Sequence, residues 1–240
     1  MAGKILIGTS GFTYQHWREV FYPQNLPQRD WLKFYAQRFP IVEINASFYH
    51  QILKKTYQNW VKITPENFIF AVKGSRFITH IKRLKDCREP IERFFSQASG
   101  LGAKLGPILW QLPPQWGFNE QRLAEFLDIL PKARCAFEFR DRSWFNDKVY
   151  TLLKKHNCAL VIQDSSRWPS TEEITADFTY LRFHGRDSLY GSCYNKRVLR
   201  SLAEKINSWH KKIDVYGFFN NDVYGYAVKN AQELTALIED

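Results

Sequence analysis

The chain has 240 residues, of which 45% are hydrophobic and 24% are charged. These proportions are typical of a globular protein and exclude a disordered chain. No apolar run approaches the roughly 20 residues that a membrane-spanning helix needs. Because no signal-peptide pattern is present either, we expect a cytoplasmic protein with no membrane partner.

The formal net charge is +10 at neutral pH. A field of this sign attracts anions and raises their concentration near the surface. The predicted partner is therefore an anionic small molecule, and nucleic acid is the second class of partner that this charge allows. The oligomeric state cannot be predicted from these features.

Eight short β-like runs follow one another along the chain, and helical patterns separate most of them. The β-like runs are 5–9, 41–45, 68–73, 108–111, 136–140, 159–164, 180–184 and 215–220. Apolar residues recur at helical spacing at 31–39, 56–63, 90–98, 121–130, 146–156, 196–209 and 229–238. Between the sixth and seventh runs the helical signal is short and weak. This alternation predicts a parallel α/β fold.

A closed barrel and an open doubly wound sheet both fit this alternation. The turn after the first run, Gly8-Thr9-Ser10-Gly11, lacks the glycine spacing of a dinucleotide fingerprint and the lysine of a P-loop. Each run ends in a polar or charged residue, and barrel enzymes keep their active sites at the carboxyl ends of their strands. We therefore predict one (β/α)₈ TIM-barrel-like domain over residues 1–240.

The polar residues at the strand ends are the candidate site. Since every second residue of a strand shares a face, those that point inward should converge at the mouth of the barrel. The candidates are Thr9, Glu43, Asn45, Lys73, Gln111, Glu138, Arg140, Asp164, Arg182, His184 and Asn220. Buried charges are costly unless they are paired, so this set should either form an ion-pair network or bind a ligand.

The residue types in this set predict an acid–base enzyme, such as a hydrolase, that acts on an anionic or phosphorylated substrate. Lys73, Arg140 and Arg182 would bind the anion. Glu43 or Glu138 would act as the acid or base, with His184 assisting proton transfer. The remaining polar candidates would contact the substrate.

Two other functions fit the same residues. A non-catalytic protein could bind nucleic acid or an anionic metabolite through these cations and the basic segment 76–88. A glycoside hydrolase could place Glu43 and Glu138 across a glycosidic bond, with Trp110, Trp116 or Trp144 as a sugar platform. We predict no metal and no cofactor, because no local metal motif occurs and nearby cations would oppose a divalent ion.

A series of motifs runs in order from the first predicted strand to the last helix. They are Ile7-Gly8-Thr9-Ser10-Gly11-Phe12, Phe21-Tyr22-Pro23, Glu43-Ile44-Asn45-Ala46-Ser47-Phe48-Tyr49, Phe70-Ala71-Val72-Lys73-Gly74, Thr79-His80, Leu109-Trp110-Gln111-Leu112-Pro113-Pro114, Phe137-Glu138-Phe139-Arg140, Ser143-Trp144, Arg182-Phe183-His184-Gly185 and Phe219-Asn220-Asn221-Asp222. Together they resemble the YecE-like family, a domain of unknown function.

The resemblance covers nearly the whole chain and implies a single TIM-barrel-like domain, without implying an activity. Three positions depart from the family pattern: Phe12, Ser47 and Asp141 stand where tryptophan, threonine and histidine are common. The departure at Asp141 argues against any mechanism that uses a histidine at that position.

Overall fold

The computed structural model describes residues 2–239. Eight parallel strands form a closed barrel in chain order, with the last strand paired to the first. The strands are β1 Ile5–Ser10, β2 Ile41–Ile44, β3 Ile69–Lys73, β4 Leu105–Gln111, β5 Cys135–Glu138, β6 Ala159–Ser165, β7 Phe178–Gly185 and β8 Asp214–Phe219. The predicted α/β barrel is confirmed, and each predicted strand lies within a few residues of an observed one.

Helices occupy most of the connections between strands. They are α1 Trp31–Tyr35, α2 Ala46–Tyr49, α3 Lys54–Ile63, α4 Arg88–Ala98, α5 Glu120–Asp128, α6 Asp147–Lys155, α7 Lys196–His210 and α8 Tyr226–Glu239. Asn119 caps α5, since its Oδ1 accepts from the Arg122 amide at 2.9 Å. The connection 166–177 between β6 and β7 contains no helix. None of the helices within residues 2–239 is long and apolar enough to cross a membrane.

Alternation along the strands divides the hydrophobic residues into two clusters. Val42 and Phe70 face outward and pack in a large cluster that includes residues of the surrounding helices. Their neighbours Ile41 and Ala71 face inward and pack in a smaller cluster inside the barrel. The inward positions are thus apolar along the body of each strand, and polar residues take the same positions at the carboxyl ends.

The amino-terminal end of the barrel is closed by a separate group of side chains. Arg134 donates to the Asp214 carboxylate and to the Tyr216 hydroxyl. Its guanidinium carbon also lies 5.4 Å from the centre of the Phe178 ring. These side chains fill the amino-terminal end of the barrel. The polar residues of the candidate site lie at the other end, where the strands finish.

Candidate active site at the carboxyl end of the barrel

A buried ion network forms the floor of the site. Arg182, on β7, donates through Nη2 to Glu43 Oε1 at 2.7 Å and through Nη1 to Glu138 Oε2. Arg140, which follows β5, donates through Nε to Glu138 Oε1 at 2.7 Å. Both glutamates are fully buried, and Arg182 is 1% exposed. One guanidinium therefore bridges two carboxylates contributed by strands on different sides of the barrel.

The network keeps both carboxylates ionised. Glu43 also accepts from the Ser10 hydroxyl and the Tyr180 hydroxyl, each at 2.6 Å. Burial acts to raise the pKa of each glutamate, but Arg182 and these hydrogen bonds more than offset it at Glu43, so its pKa falls. Arg182 and Arg140 hold the pKa of Glu138 well below its usual range. A carboxylate in this state is a weak base and cannot serve as an acid at neutral pH.

Lys73 lies at the end of β3 with little exposure, at 8%. Within residues 2–239, no hydrogen-bond acceptor or carboxylate contacts its Nζ. The atom lies 4.2 Å from the centre of the Phe48 ring. Burial, followed by the charge of Arg182, lowers the pKa of Lys73 to about 7. At neutral pH, a large share of this side chain is therefore a free amine.

Two histidines of the site are uncharged at neutral pH. His184 is fully buried, and its Nδ1 accepts a hydrogen bond from the Asn220 side-chain amide at 3.1 Å. Its Nε2 lies 3.8 Å from Glu138 Oε2, which is beyond hydrogen-bond distance. Burial and the charge of Arg182 lower the pKa of His184 to about 4.

The second histidine, His80, belongs to a π-helical turn at Phe77–Ile81. Its Nδ1 lies 2.8 Å from the Thr79 hydroxyl. Burial and then the charge of Lys73 lower the pKa of His80 to about 4. Single π turns often occur at functional sites, and this one carries His80 from the basic segment 76–88 to the mouth of the barrel.

A histidine–aspartate pair lies at the rim of the barrel, on the loops that follow β1 and β8. His16 Nε2 lies 3.0 Å from Asp222 Oδ2, and Trp17 Nε1 donates to Asp222 Oδ1 at 2.9 Å. Burial raises the pKa of Asp222. The loops that carry this pair follow β1 and β8, which are hydrogen-bonded neighbours only because the barrel closes.

These groups surround a cavity of about 560 Å³. It is lined by Tyr14, His16, Asn45, Phe48, Tyr49, Lys73, His80, Gln111, Arg140, Arg182, Tyr190, Asn220, Asp222 and Val223. The buried Asn45 Oδ1 has no hydrogen-bond partner within the described residues. Likewise, neither Nη group of Arg140 meets an acceptor there. The cavity thus holds donors, acceptors and an amine that the protein's own contacts leave available.

The structure brings nine of the eleven sequence-predicted residues together. Six of them line the cavity: Asn45, Lys73, Gln111, Arg140, Arg182 and Asn220. Glu43, Glu138 and His184 lie beneath it, within the ion network or beside it. In residues 2–239, no group of three or more histidine, cysteine, aspartate or glutamate side chains is arranged to hold a metal ion.

Thr9 and Asp164 are not at the cavity, so their predicted placement is corrected. The Thr9 hydroxyl lies 2.9 Å from the Tyr35 hydroxyl of α1, on the outer face of the barrel. Thr9 shares the outward face of β1 with Ile5 and Ile7, and Ser10, which the structure adds to the end of the strand, takes the inward position. Asp164 pairs with Arg186 at 2.6 Å, away from the cavity. Both residues have the wrong alternation phase for the interior.

Sequence reasoning missed His16, His80 and Asp222 as members of the site. They lie outside the strands, so the rule of polar strand endings could not find them. Asp222 was only part of the quoted motif Phe219-Asn220-Asn221-Asp222, and His80 was noted only within the motif Thr79-His80 and the basic segment 76–88. No signal in the sequence singled out His16.

A closed barrel of eight parallel strands, with ionisable side chains gathered beyond their carboxyl ends, defines the TIM-barrel class. Within this class the chain belongs to the DUF72 family, whose description is "protein of unknown function", with a match over residues 6–240. The resemblance to YecE-like proteins is thereby confirmed.

Relatives of this family match most of the chain. A crystal structure of a DUF72 protein from Thermotoga maritima is 30% identical, with a TM-score of 0.91, covering 99% of this chain and all of that one. The UPF0759 protein YunF of Bacillus subtilis is 28% identical over 98% of this chain and 95% of its own length. The UPF0759 protein YecE of Escherichia coli K12 is 26% identical, over 79% of this chain and 78% of its own.

A more distant likeness shows the fold alone. D-psicose 3-epimerase from Clostridium cellulolyticum H10, solved with D-tagatose, is 11% identical with a TM-score of 0.55 and covers 98% of this chain. At this level of identity, the two proteins share a barrel architecture that hosts many unrelated reactions, and the likeness carries no argument about the chemistry of this site.

Proposed function

We propose that this protein is an acid–base enzyme that acts on an anionic small molecule at the carboxyl end of the barrel. One observation carries the proposal. The Lys73 amine has no acceptor within the described residues, and it lines the same cavity as the Arg140 guanidinium, whose two Nη groups are equally free of acceptors there. A reactive group and an anion-binding group therefore face one space large enough for a metabolite.

Arg140 is the anion ligand in this proposal. Its Nε is held by Glu138, which fixes the guanidinium plane, and the two Nη groups stay available for a phosphate or carboxylate. The amides of Asn45, Gln111 and Asn220 add neutral donors and acceptors around the same space. Arg182 contributes less attraction than the sequence suggested, because two carboxylates already neutralise its charge.

The acid–base role falls to groups that line the cavity. Lys73, with a pKa lowered to about 7 by burial and Arg182, can take or give a proton near neutral pH. His16, oriented by Asp222, is a second proton carrier at the rim. In this proposal Glu43 and Glu138 hold the arginines in place instead of exchanging protons. Hydrolysis is one reaction open to such a set, if the base takes its proton from water.

The glycoside hydrolase alternative has little support from this geometry. Such enzymes need two carboxyl groups on either side of the bond that is cleaved, typically about 5–9.5 Å apart with the substrate between them. Here Glu43 and Glu138 both bind Arg182 beneath the cavity, and neither lines it. The non-catalytic alternative differs from our proposal in predicting no turnover and, in its nucleic-acid form, in also using the basic segment 76–88.

Thermal unfolding in the presence of inorganic phosphate and small phosphorylated or carboxylated compounds tests the anion site. A ligand at 100 times its Kd should stabilise the protein by about 2.7 kcal/mol and raise its Tm. We expect Arg140→Gln to abolish this shift. Arg140→Lys, which keeps a charge beside Glu138, should retain only part of it. Arg186→Gln is the matched control, because Arg186 pairs with Asp164 outside the cavity. A shift of equal size in all variants would contradict the proposed site.

A further inference from the structure

We propose that Lys73 is a nucleophile that forms an imine with an anionic carbonyl compound. This inference rests on the proposed function and deepens it, because it names the substrate class: an aldehyde or ketone that also carries a phosphate or carboxylate. The carbonyl carbon would meet the amine of Lys73, while the anionic group would meet Arg140.

Comparison with a second lysine of equal exposure shows what is unusual about Lys73. Lys104 is also 8% exposed, but its Nζ donates to the Val61 and Thr64 carbonyls, each at 2.8 Å, and to the Thr64 hydroxyl at 3.0 Å. All three N–H groups of that ammonium are satisfied, as expected of a structural lysine. Lys73 has no such acceptor within residues 2–239, and a buried ammonium in that position is poorly stabilised.

The surroundings of Lys73 favour a free amine with an accessible lone pair. The Phe48 ring covers one side, with its centre 4.2 Å from Nζ, and this contact by itself favours the ammonium. The charged groups that act on the amine are Arg182, Arg140, Glu138 and Glu43. Since the two arginines offset the two glutamates, burial dominates and the pKa falls to about 7. A desolvated amine of this kind is the form that attacks carbonyl groups.

The proposed step balances without any oxidant or reductant. The lone pair of Nζ forms a bond to the carbonyl carbon, and the π electrons of the C=O bond move to oxygen. The nitrogen loses a proton and the oxygen gains one, which gives a carbinolamine. The hydroxyl then takes up a proton and leaves as water while the nitrogen lone pair forms a double bond to carbon, and loss of the remaining N–H proton gives the neutral imine. Water is the only group released, and we assign the transfer of these protons to His16 and His80, which line the same cavity.

Reductive trapping with pyridoxal 5′-phosphate tests the inference, since this probe carries an aldehyde and a phosphate. Borohydride reduction converts an imine into a stable secondary amine, and peptide mapping by mass spectrometry locates it. We expect Lys73 to be labelled about tenfold faster than exposed lysines at pH 7.5, because its larger share of free amine outweighs its lower nucleophilicity. Labelling should rise with a midpoint near pH 7, and inorganic phosphate should compete with it.

One variant tests the assignment and a second serves as its matched control. Lys73→Met removes the amine, keeps a similar volume and should lose the fast label. Lys104→Met should keep it. If Lys73→Met does not fold, the site map of the wild-type protein still decides. Labelling of Lys73 no faster than that of exposed lysines would overturn the imine, and an Arg140-dependent thermal shift with phosphate would then leave the proposed function standing. If Lys73 is not labelled faster and phosphate gives no Arg140-dependent thermal shift, both the imine and the proposed function are overturned.

Discussion

At the scale of the residue, Lys73 is a position where burial of a titratable group lowers stability and, in our proposal, provides reactivity. Burial, followed by the charge of Arg182, lowers its pKa from 10.5 to about 7, and no acceptor within residues 2–239 contacts its Nζ. A group whose folded pKa lies below its unfolded pKa costs stability at low pH, where both states must carry the proton. Functional sites often retain such unfavourable groups, since the reaction needs them.

The pH dependence of Lys73→Met should reveal this cost. Between pH 7 and 10.5 the unfolded chain binds a proton at Lys73 that the folded chain does not, so stability rises with pH across this range. Below pH 7 the full cost is present in the wild-type protein. We therefore expect Lys73→Met to be more stable than the wild type at pH 6, by about 2–5 kcal/mol, and the difference to vanish near pH 10.5.

Denaturant unfolding at several pH values measures this difference. The matched control is Lys104→Met, which leaves the Val61 and Thr64 carbonyls without their donor. It should destabilise the protein by about 1–3 kcal/mol. A Lys73→Met variant less stable than the wild type at pH 6 would show that the ammonium of Lys73 is well accommodated, contrary to our interpretation.

At the scale of the element, the ion network ties three strands together beneath the cavity. Glu43 on β2, Glu138 on β5 and Arg182 on β7 belong to strands that do not pair with one another, and their side chains meet inside the barrel. Breaking a buried network by removing one charge leaves the others uncompensated, and this is far more costly than losing an exposed ion pair.

Glu138→Gln should therefore lower the free energy of unfolding by about 3–5 kcal/mol at neutral pH. Glu120→Gln, which removes an exposed partner of Lys148, should change it by less than about 1 kcal/mol. Because the pKa of Glu138 is lowered in the fold, its contribution is present above its ordinary value of 4.5 and is lost as acid lowers the pH through the folded pKa. Chemical denaturation at pH 7 and pH 3 measures both effects. Equal changes in the two variants at pH 7 would refute the network's role.

The strands and loops also show which site residues could be predicted from the sequence. Alternation placed Glu43, Glu138 and Arg182 correctly, because residues two apart on a strand share a face. The rule of polar strand endings failed at Thr9, because Thr9 shares a face with the outward-facing Ile7 and the strand continues to Ser10, which points inward. His16 and Asp222 could not be predicted, because their contact depends on the conformation of two loops and on the closure of β8 against β1.

At the scale of the whole molecule, the two ends of the barrel differ. Arg134, Asp214 and Tyr216 fill the amino-terminal end with satisfied polar contacts. The carboxyl end keeps a cavity of about 560 Å³ with a free amine, a free guanidinium edge and a histidine–aspartate pair. The net charge of +10 adds a field that favours anions. The polar residues at the strand ends predict this difference between the two ends. Which of those residues form the ion network and which line the cavity could be seen only from the three-dimensional contacts.

The most direct test of our account is conversion of an anionic substrate. Wild-type protein and Lys73→Met are each incubated with a mixture of phosphorylated and carboxylated metabolites, and the mixtures are compared by mass spectrometry over time. We predict that at least one anionic compound is converted by the wild-type protein and left unchanged by Lys73→Met. Conversion that is equally fast with both proteins would contradict the role of Lys73, and identical, unchanged mixtures would contradict the enzymatic function itself.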